Sequence, residues 1–309
     1  MSAHSSSLER NPSWLDRKSH LALLNQAFPG RWNPAAYDWY IARSCHGIEN
    51  DTLVVSEGHR ALAVVTVCHR QVGTDTSRPI DVGVLSAGTT LASERGQGHY
   101  GRLLEAAREL ALIKGYAALL GFVTRDNVSG KGLAHRGAQA VPSFYIASPP
   151  GRRPVGTAAQ LTEASVHAGN LASLAWRESS RASGARFLYP RADDWRRQFI
   201  VRPSPVRVLR LAHDSLALVE TVGVTDRLQW LTAPREKATA CISRLARASA
   251  AAGRQFFLYT LDPLLAAAAR RIGLAIRPGY LMLWPTGHAH DAWRGIANAP
   301  WSVQSGHRA

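Results

Sequence analysis

The stretch Thr89–Leu104, T-T-L-A-S-E-R-G-Q-G-H-Y-G-R-L-L, combines residue types that could do chemistry. An extended run enters Arg95-Gly96-Gln97-Gly98-His99-Tyr100-Gly101, and an amphipathic helix follows. Glycines let the chain turn sharply with backbone N–H groups facing outward, and a helix N-terminus adds partial positive charge. Together they predict a seat for an anion the size of a diphosphate, with Arg95 and Arg102 as charged supports. The segment lacks the G-K-[ST] of a P-loop, and it is not read as a dinucleotide fingerprint.

The surrounding elements must position that turn. Apolar spacing predicts a helix over Trp14–Phe28, and Asn33-Pro34 opens a second, with asparagine as N-cap and proline at the first helical position. Thr52–Ser56 and Ala61–His69 read as a hairpin, and Ile80–Leu91 as a further strand. The helix Gly101–Lys114 closes at Gly115, and strands follow over Ala117–Thr124 and around Val141–Ile146. The pattern then restarts past Pro149-Pro150-Gly151. Helices are predicted over Thr162–Ala182 and from Asp193, where Trp195 falls in the place of Trp39. A hairpin follows over Val206–Ala212 and Leu216–Val222, then alternating strands and helices to a last strand at Tyr280–Trp284. The string L-A-V-V-T-V at Leu62–Val67 is echoed by L-A-L-V-E-T-V at Leu216–Val222. The reading is an internally duplicated α/β chain with mixed sheets. It has an unstructured lead-in over 1–13, units over 14–150 and 151–287, and a polar tail over 288–309.

Composition narrows the class. The 309 residues are 46% hydrophobic and 19% charged, which excludes a disordered chain and leaves ample material for a core. No apolar run approaches a membrane span, the first residues lack a secretory h-region, and three scattered cysteines form neither a disulfide framework nor a zinc motif. A reducing cytoplasm fits this usage. Histidines show no metal-ligand spacing, so no metal is expected. The net charge is +15, and only four of the 37 basic residues are lysines, which leaves 33 arginines. Codon bias and a polyanionic partner (a phosphorylated cofactor, an acidic carrier protein or a nucleic acid) are alternative explanations. The arginines are dispersed without an aromatic-interleaved stripe, so a dedicated nucleic-acid surface is not indicated.

Arg95–Gly101 in its strand–helix setting resembles the acyl-CoA loop of the GNAT superfamily of N-acyltransferases, Q/R-x-x-G-x-G/A. The resemblance runs over Leu21–Ser148 in element order, and Thr162–Trp284 resembles a second copy of the fold, as in tandem members. The second junction, T-A-P-R-E-K-A-T at Thr232–Thr239, has no glycine, so one working cofactor site is expected, in the first half. The resemblance implies direct attack of a small-molecule amine on the thioester of acetyl-CoA or another acyl-CoA. Amides near Thr90, Leu91 and Ala92 would hold the pantetheine arm and polarise the carbonyl, while Arg95, Gly96, Gln97, Gly98, His99, Tyr100 and Gly101 hold the diphosphate.

Two departures stand out. Tyr100 replaces the last small residue of the signature, where Gly101 could take over the close approach. The tyrosine that many members use as general acid falls at Ala134, leaving Ser129, His135 and Tyr145 as candidate donors beside Asn127 just after the strand. Glu57, His69 and Asp81 are candidate bases, and Trp32, Tyr37, Trp39 and Tyr40 either line an acceptor pocket or pack in the core. An acidic acyl carrier protein as donor, an aminoacyl-tRNA-dependent transferase and a non-catalytic binding protein are the competing readings. A monomer or homodimer is expected.

Overall fold

The computed structural model describes residues 6–75, 77–149, 161–163, 184–287 and 290–308. The first half runs β1 (Ser7–Arg10), α1 (Arg17–Ala27), α2 (Pro34–Tyr37), β2 (Asp51–Glu57), β3 (Arg60–Gly73) and β4 (Ile80–Thr90). It continues through α3 (His99–Ile113), β5 (Ala118–Thr124), α4 (Val128–His135) and β6 (Gln139–Ala147). The second runs β7 (Thr162–Glu163), β8 (Arg186–Phe187), α5 (Ala192–Phe199), β9 (Val206–Ala212), β10 (Ser215–Val222) and β11 (Thr225–Thr232). It ends with α6 (Arg235–Ala251), β12 (Gln255–Thr260), α7 (Pro263–Arg271), β13 (Ala275–Pro285) and α8 (His290–Ala297).

Local chemistry sets the boundaries. The Asp16 carboxylate caps α1 by accepting from Ser19 N at 2.7 Å, and Asn33 caps α2 through Ala36 N at 2.8 Å. In α3, Leu103, Leu104, Ala107, Leu110 and Ala111 are buried at helical spacing against the β2–β4 hairpins. Two expectations change. Ser7–Arg10, read as unstructured, is an edge strand paired with β2. The helix read over Thr162–Ala182 lies outside the described residues except at its start, where Thr162–Glu163 is a short strand beside β9.

The strands form one 13-stranded sheet in the order β1-β2-β3-β4-β5-β13-β6-β12-β11-β10-β9-β7, with β8 on β3. Read from either end, β2–β6 and β9–β13 occupy matching places, so a pseudo-twofold axis passes between β13 and β6. The halves have also exchanged their last strands. β13 lies between β5 and β6 of the first half, and β6 lies between β12 and β13 of the second.

β4 and β5 pair in parallel only from Gly83↔Leu119 to Leu85↔Gly121, then diverge. β11 and β12 repeat this, parallel from Thr225↔Gln255 to Arg227↔Phe257 and divergent beyond. The second opening is filled. Gln304 of the tail accepts from Leu231 N at 2.7 Å, donates to Leu231 O at 3.1 Å and forms a β-bridge to Thr260, while Ser305 Oγ accepts from Tyr259 N at 2.7 Å. The tail thus satisfies backbone groups that diverging strands leave open.

His307, buried beside Phe187 and Phe199, holds the end of the tail, and burial lowers its pKa to about 4. Its Nδ1 accepts from Gln304 N at 2.9 Å, a role only the neutral ring can take. Burial also lowers His20 and His69 to about 4, whereas Cys45 and Asp194 raise His46 against its own desolvation. Rings depressed in the fold bind protons more readily when unfolded, so stability should be fully present above pH 6.5 and lost between about 6.5 and 4. His307 alone contributes on the order of 3 kcal/mol to that loss, and His46 opposes it. Melting temperature followed from pH 8 to 4 checks this; a maximum near pH 5 would contradict it. No helix among the described residues is long and apolar enough to cross a membrane.

Candidate functional site

The glycine turn falls where α3 begins. A 3₁₀ turn over Ala92–Glu94 ends β4, then Gly96 and Gly98 take φ of 83° and 79°, which a side chain would strain. A Cβ on either glycine would meet nothing within 4 Å, so the turn faces open space. The amides of Gly96 through Gly101 find no protein acceptor among the described residues. Six consecutive N–H groups at a helix N-terminus therefore lack partners, the condition for holding an anion. Gln97 turns its side chain to Glu94, 3.2 Å away, and Arg60 pairs with that carboxylate at 2.9 Å, offsetting a negative charge beside the turn. Arg95 is exposed with no side-chain partner among the described residues, so its charge is free to face an anion. Arg102 instead bonds the hydroxyl and carbonyl of Ser6.

Next to the turn, the gap between β4 and β5 opens into a cavity of about 630 Å³. One wall is a bulge in β4: Thr66 opposes Ser86 while Val64 opposes Thr89, so Ala87 and Gly88 share the place of one partner. Ala87 takes φ of 52°, a strained position for a side-chain-bearing residue. The Tyr100 ring, sent inward from α3, packs on Gly88, where a Cβ would stand 3.2 Å from it. Its phenol faces Ser129 on α4, and burial raises its pKa against the smaller opposing effects of Ser129 and Arg136.

The far wall comes from both halves and includes Trp32, Tyr40, Glu220, Arg227 and Arg308. A buried polar network holds it. Trp39 is sandwiched between the guanidinium groups of Arg43 at 3.7 Å and Arg202 at 4.1 Å. Arg202 Nε then donates to Glu220 Oε2 at 3.0 Å, both side chains being 2% exposed. Gln229 donates to the same oxygen at 2.6 Å.

No protein-family model matches this sequence, and no curated protein matches it either. Solved structures do. The Saccharomyces cerevisiae N-myristoyltransferase, solved with bound myristoyl-CoA, has a TM-score of 0.61 at 12% identity, covering 91% of this chain and 83% of its own. A tandem GNAT protein from the clavulanic acid biosynthesis pathway has a TM-score of 0.59 at 14% identity, covering 91% and 99%. A GCN5-related N-acetyltransferase from Anabaena variabilis has a TM-score of 0.59 at 11% identity, covering 91% and 73%. The chain has the tandem GNAT fold.

Within this GNAT fold, Gly96, Gly98 and Gly101 do carry the G-x-G-x-x-G spacing, contrary to the reading of the sequence as lacking a dinucleotide fingerprint. A dinucleotide fold needs a mostly parallel sheet, whereas the parallel strand pairs here are β4–β5 and β11–β12, in an otherwise antiparallel sheet.

Of the predicted catalytic residues, Asn127 and Ser129 line the cavity, and Tyr100, predicted to hold the diphosphate, lines it too. Asn127 also caps α4, its Oδ1 accepting from Ser129 N at 2.9 Å. His135 is exposed at the far end of α4 and does not line the cavity. Tyr145 lies on β6, where its ring stacks beneath the Arg308 guanidinium at 4.7 Å rather than facing the β4–β5 gap. Thr90, Leu91 and Ala92 lie past the cavity, and the Leu91 amide already donates to Leu62 O at 2.9 Å. Gly101 packs toward Arg136, whose Nη2 donates to its carbonyl at 3.4 Å, so it does not replace Tyr100 in a close approach.

The candidate bases lie elsewhere. Asp81 bonds Gln71, His69 faces Tyr116, and Glu57 ends β2. Of the aromatic stripe, Trp32 and Tyr40 line the cavity, Tyr37 packs on His20, and Trp39 is core. The sequence reading missed the Ala87–Gly88 bulge, whose signal is a small-residue pair inside a strand. It also missed Glu220, Arg227 and Arg308, for which no local signal exists.

Proposed function

We propose that this protein is an N-acyltransferase that moves an acyl group, most simply acetyl, from a CoA thioester to the amine of a small molecule. One observation carries the reading: a turn of unpartnered amides at the N-terminus of α3 adjoins an open gap between two parallel strands. The turn would hold the donor's diphosphate, with Arg95 beside it. The pantetheine arm would run along β4, and the amides of the Ala87–Gly88 bulge would receive the thioester oxygen as it becomes an oxyanion. The acceptor nitrogen attacks the carbonyl carbon, the N–C bond forms, and the C–S bond breaks. The proton lost by nitrogen passes to water in the open cavity, because Glu220, the carboxylate in its lining, is already paired with Arg202, and the departing thiolate takes one from the Tyr100 phenol, which burial keeps protonated.

Two GNAT copies over 14–150 and 151–287, one of them carrying the working donor site, and a cytoplasmic setting suited to unpaired cysteines accompany this reading. Calorimetric titration with acetyl-CoA tests it. Binding with thiol release in the presence of amines is expected, and absence of binding would remove the reading. Turnover with a carrier-borne acyl group alone would move the donor to an acyl carrier protein, and binding without transfer would favour a non-catalytic protein. Tyr100→Phe should lower kcat by about 10²-fold with little change in the KM for donor. An unchanged kcat would remove the phenol from the mechanism.

A further inference from the structure

We propose that the acceptor is an amine that also bears a carboxylate, held across β10 and β11 with its ammonium end on Glu220 and its acid end on Arg227 and Arg308. The proposal rests on the acyl-transfer reading of the cavity. Glu220 and Arg227 are direct cross-strand partners, so they stand side by side on one face of the sheet. They do not neutralise each other. Glu220 Oε2 takes both Arg202 Nε at 3.0 Å and Gln229 Nε2 at 2.6 Å, which leaves Oε1 for a ligand. Arg227 makes no side-chain hydrogen bond or ion pair among the described residues while lining the cavity. Arg308 reaches the same cavity from the tail, its guanidinium over the Tyr145 and Tyr259 rings at 4.7 and 5.0 Å. Its Nε is shielded from water without a hydrogen-bond partner.

A shielded donor left unused is costly, and a planar carboxylate is the ligand group that suits the guanidinium carrying it best. The donor's phosphates do not account for these two arginines, because residues 95–99 lie outside the cavity lining. An anchored carboxylate next to free guanidinium groups is complementary to a zwitterion, and the Trp32 and Tyr40 rings, 5.6 Å apart, wall the carbon skeleton between the charges. The tail therefore has two roles, filling the second strand gap with Gln304 and carrying Arg308 to the first site.

The test compares amino acids that have a single carboxylate with their decarboxylated amines (phenylalanine with phenethylamine, alanine with ethylamine, and so on through that set) by thiol release from acetyl-CoA. For the best pair, kcat/KM should favour the member with the additional carboxylate by about 10²-fold or more, since a site built for a charge rejects the analogue lacking it. Arg227→Gln and Arg308→Gln should each reduce that ratio about tenfold through KM, leaving calorimetric acetyl-CoA binding unchanged. Equal or greater activity on the bare amines would overturn the proposal, as would variants that leave the ratio intact. If acetyl-CoA fails to bind, the acyl-transfer reading falls by itself. Stabilisation of the full-length protein by free amino acids, lost in Arg227→Gln, would still support the carboxylate site, and its absence would remove that site too.

Discussion

Gly98→Trp is expected to weaken acyl-CoA binding by more than about 10²-fold while leaving the protein folded. The two effects separate because of where the glycine stands. Its φ of 79° makes any side chain cost about 1–2 kcal/mol. A Cβ there meets nothing within 4 Å, so the indole enters the space in front of the free amides without displacing the core. Gly253→Trp is the matched control: that glycine follows α6 with φ of 69° and equally open surroundings, so it carries the same backbone strain in the half without a glycine turn. Calorimetry with acetyl-CoA, beside a thermal melt of each variant, reads both effects. Equal donor affinity in the two variants would show that the turn binds nothing, whatever their stabilities.

The contrast between these glycines marks what the sequence made legible. The turn at Arg95–Gly101 is local: glycine spacing and a following amphipathic helix imply free amides without knowledge of the rest of the fold. The duplication is visible for the same reason, since each half repeats one order of short elements. The acceptor wall is different. Glu220 and Arg227 read as ordinary charges on a hairpin, and Arg308 as part of a polar tail, because long-range pairing alone brings them to one cavity. Of the proton-donor candidates chosen by proximity along the chain, Ser129 lines the cavity and His135 does not, since under two turns of a short helix carry a side chain from the cavity to solvent. Tyr100 looked like an intrusion into the cofactor loop. Only the three-dimensional arrangement shows its ring crossing the strand gap to Gly88.

The exchange of last strands was hidden too, because periodicity identifies a strand but not its neighbours, and it leads to the second large expected effect. Expressed alone, 1–150 and 151–309 should each fail to give a cooperatively folding protein, whereas co-expression should return one complex. Without β13, β6 loses its neighbour on one side and the gap beside β5 stays open; without β12 it has no neighbour left. Leu281, Met282, Leu283 and Trp284 of β13 are each no more than 4% exposed, packed against residues such as Val82, Leu104 and Leu120 of the first half. Burying four such side chains contributes roughly 8 kcal/mol, comparable to the net stability of a whole domain. The edges left behind would also be long and apolar, which favours aggregation over a folded fragment. A sharp thermal transition from 1–150 alone would show that the first half closes its own sheet, and that the exchanged strand is dispensable.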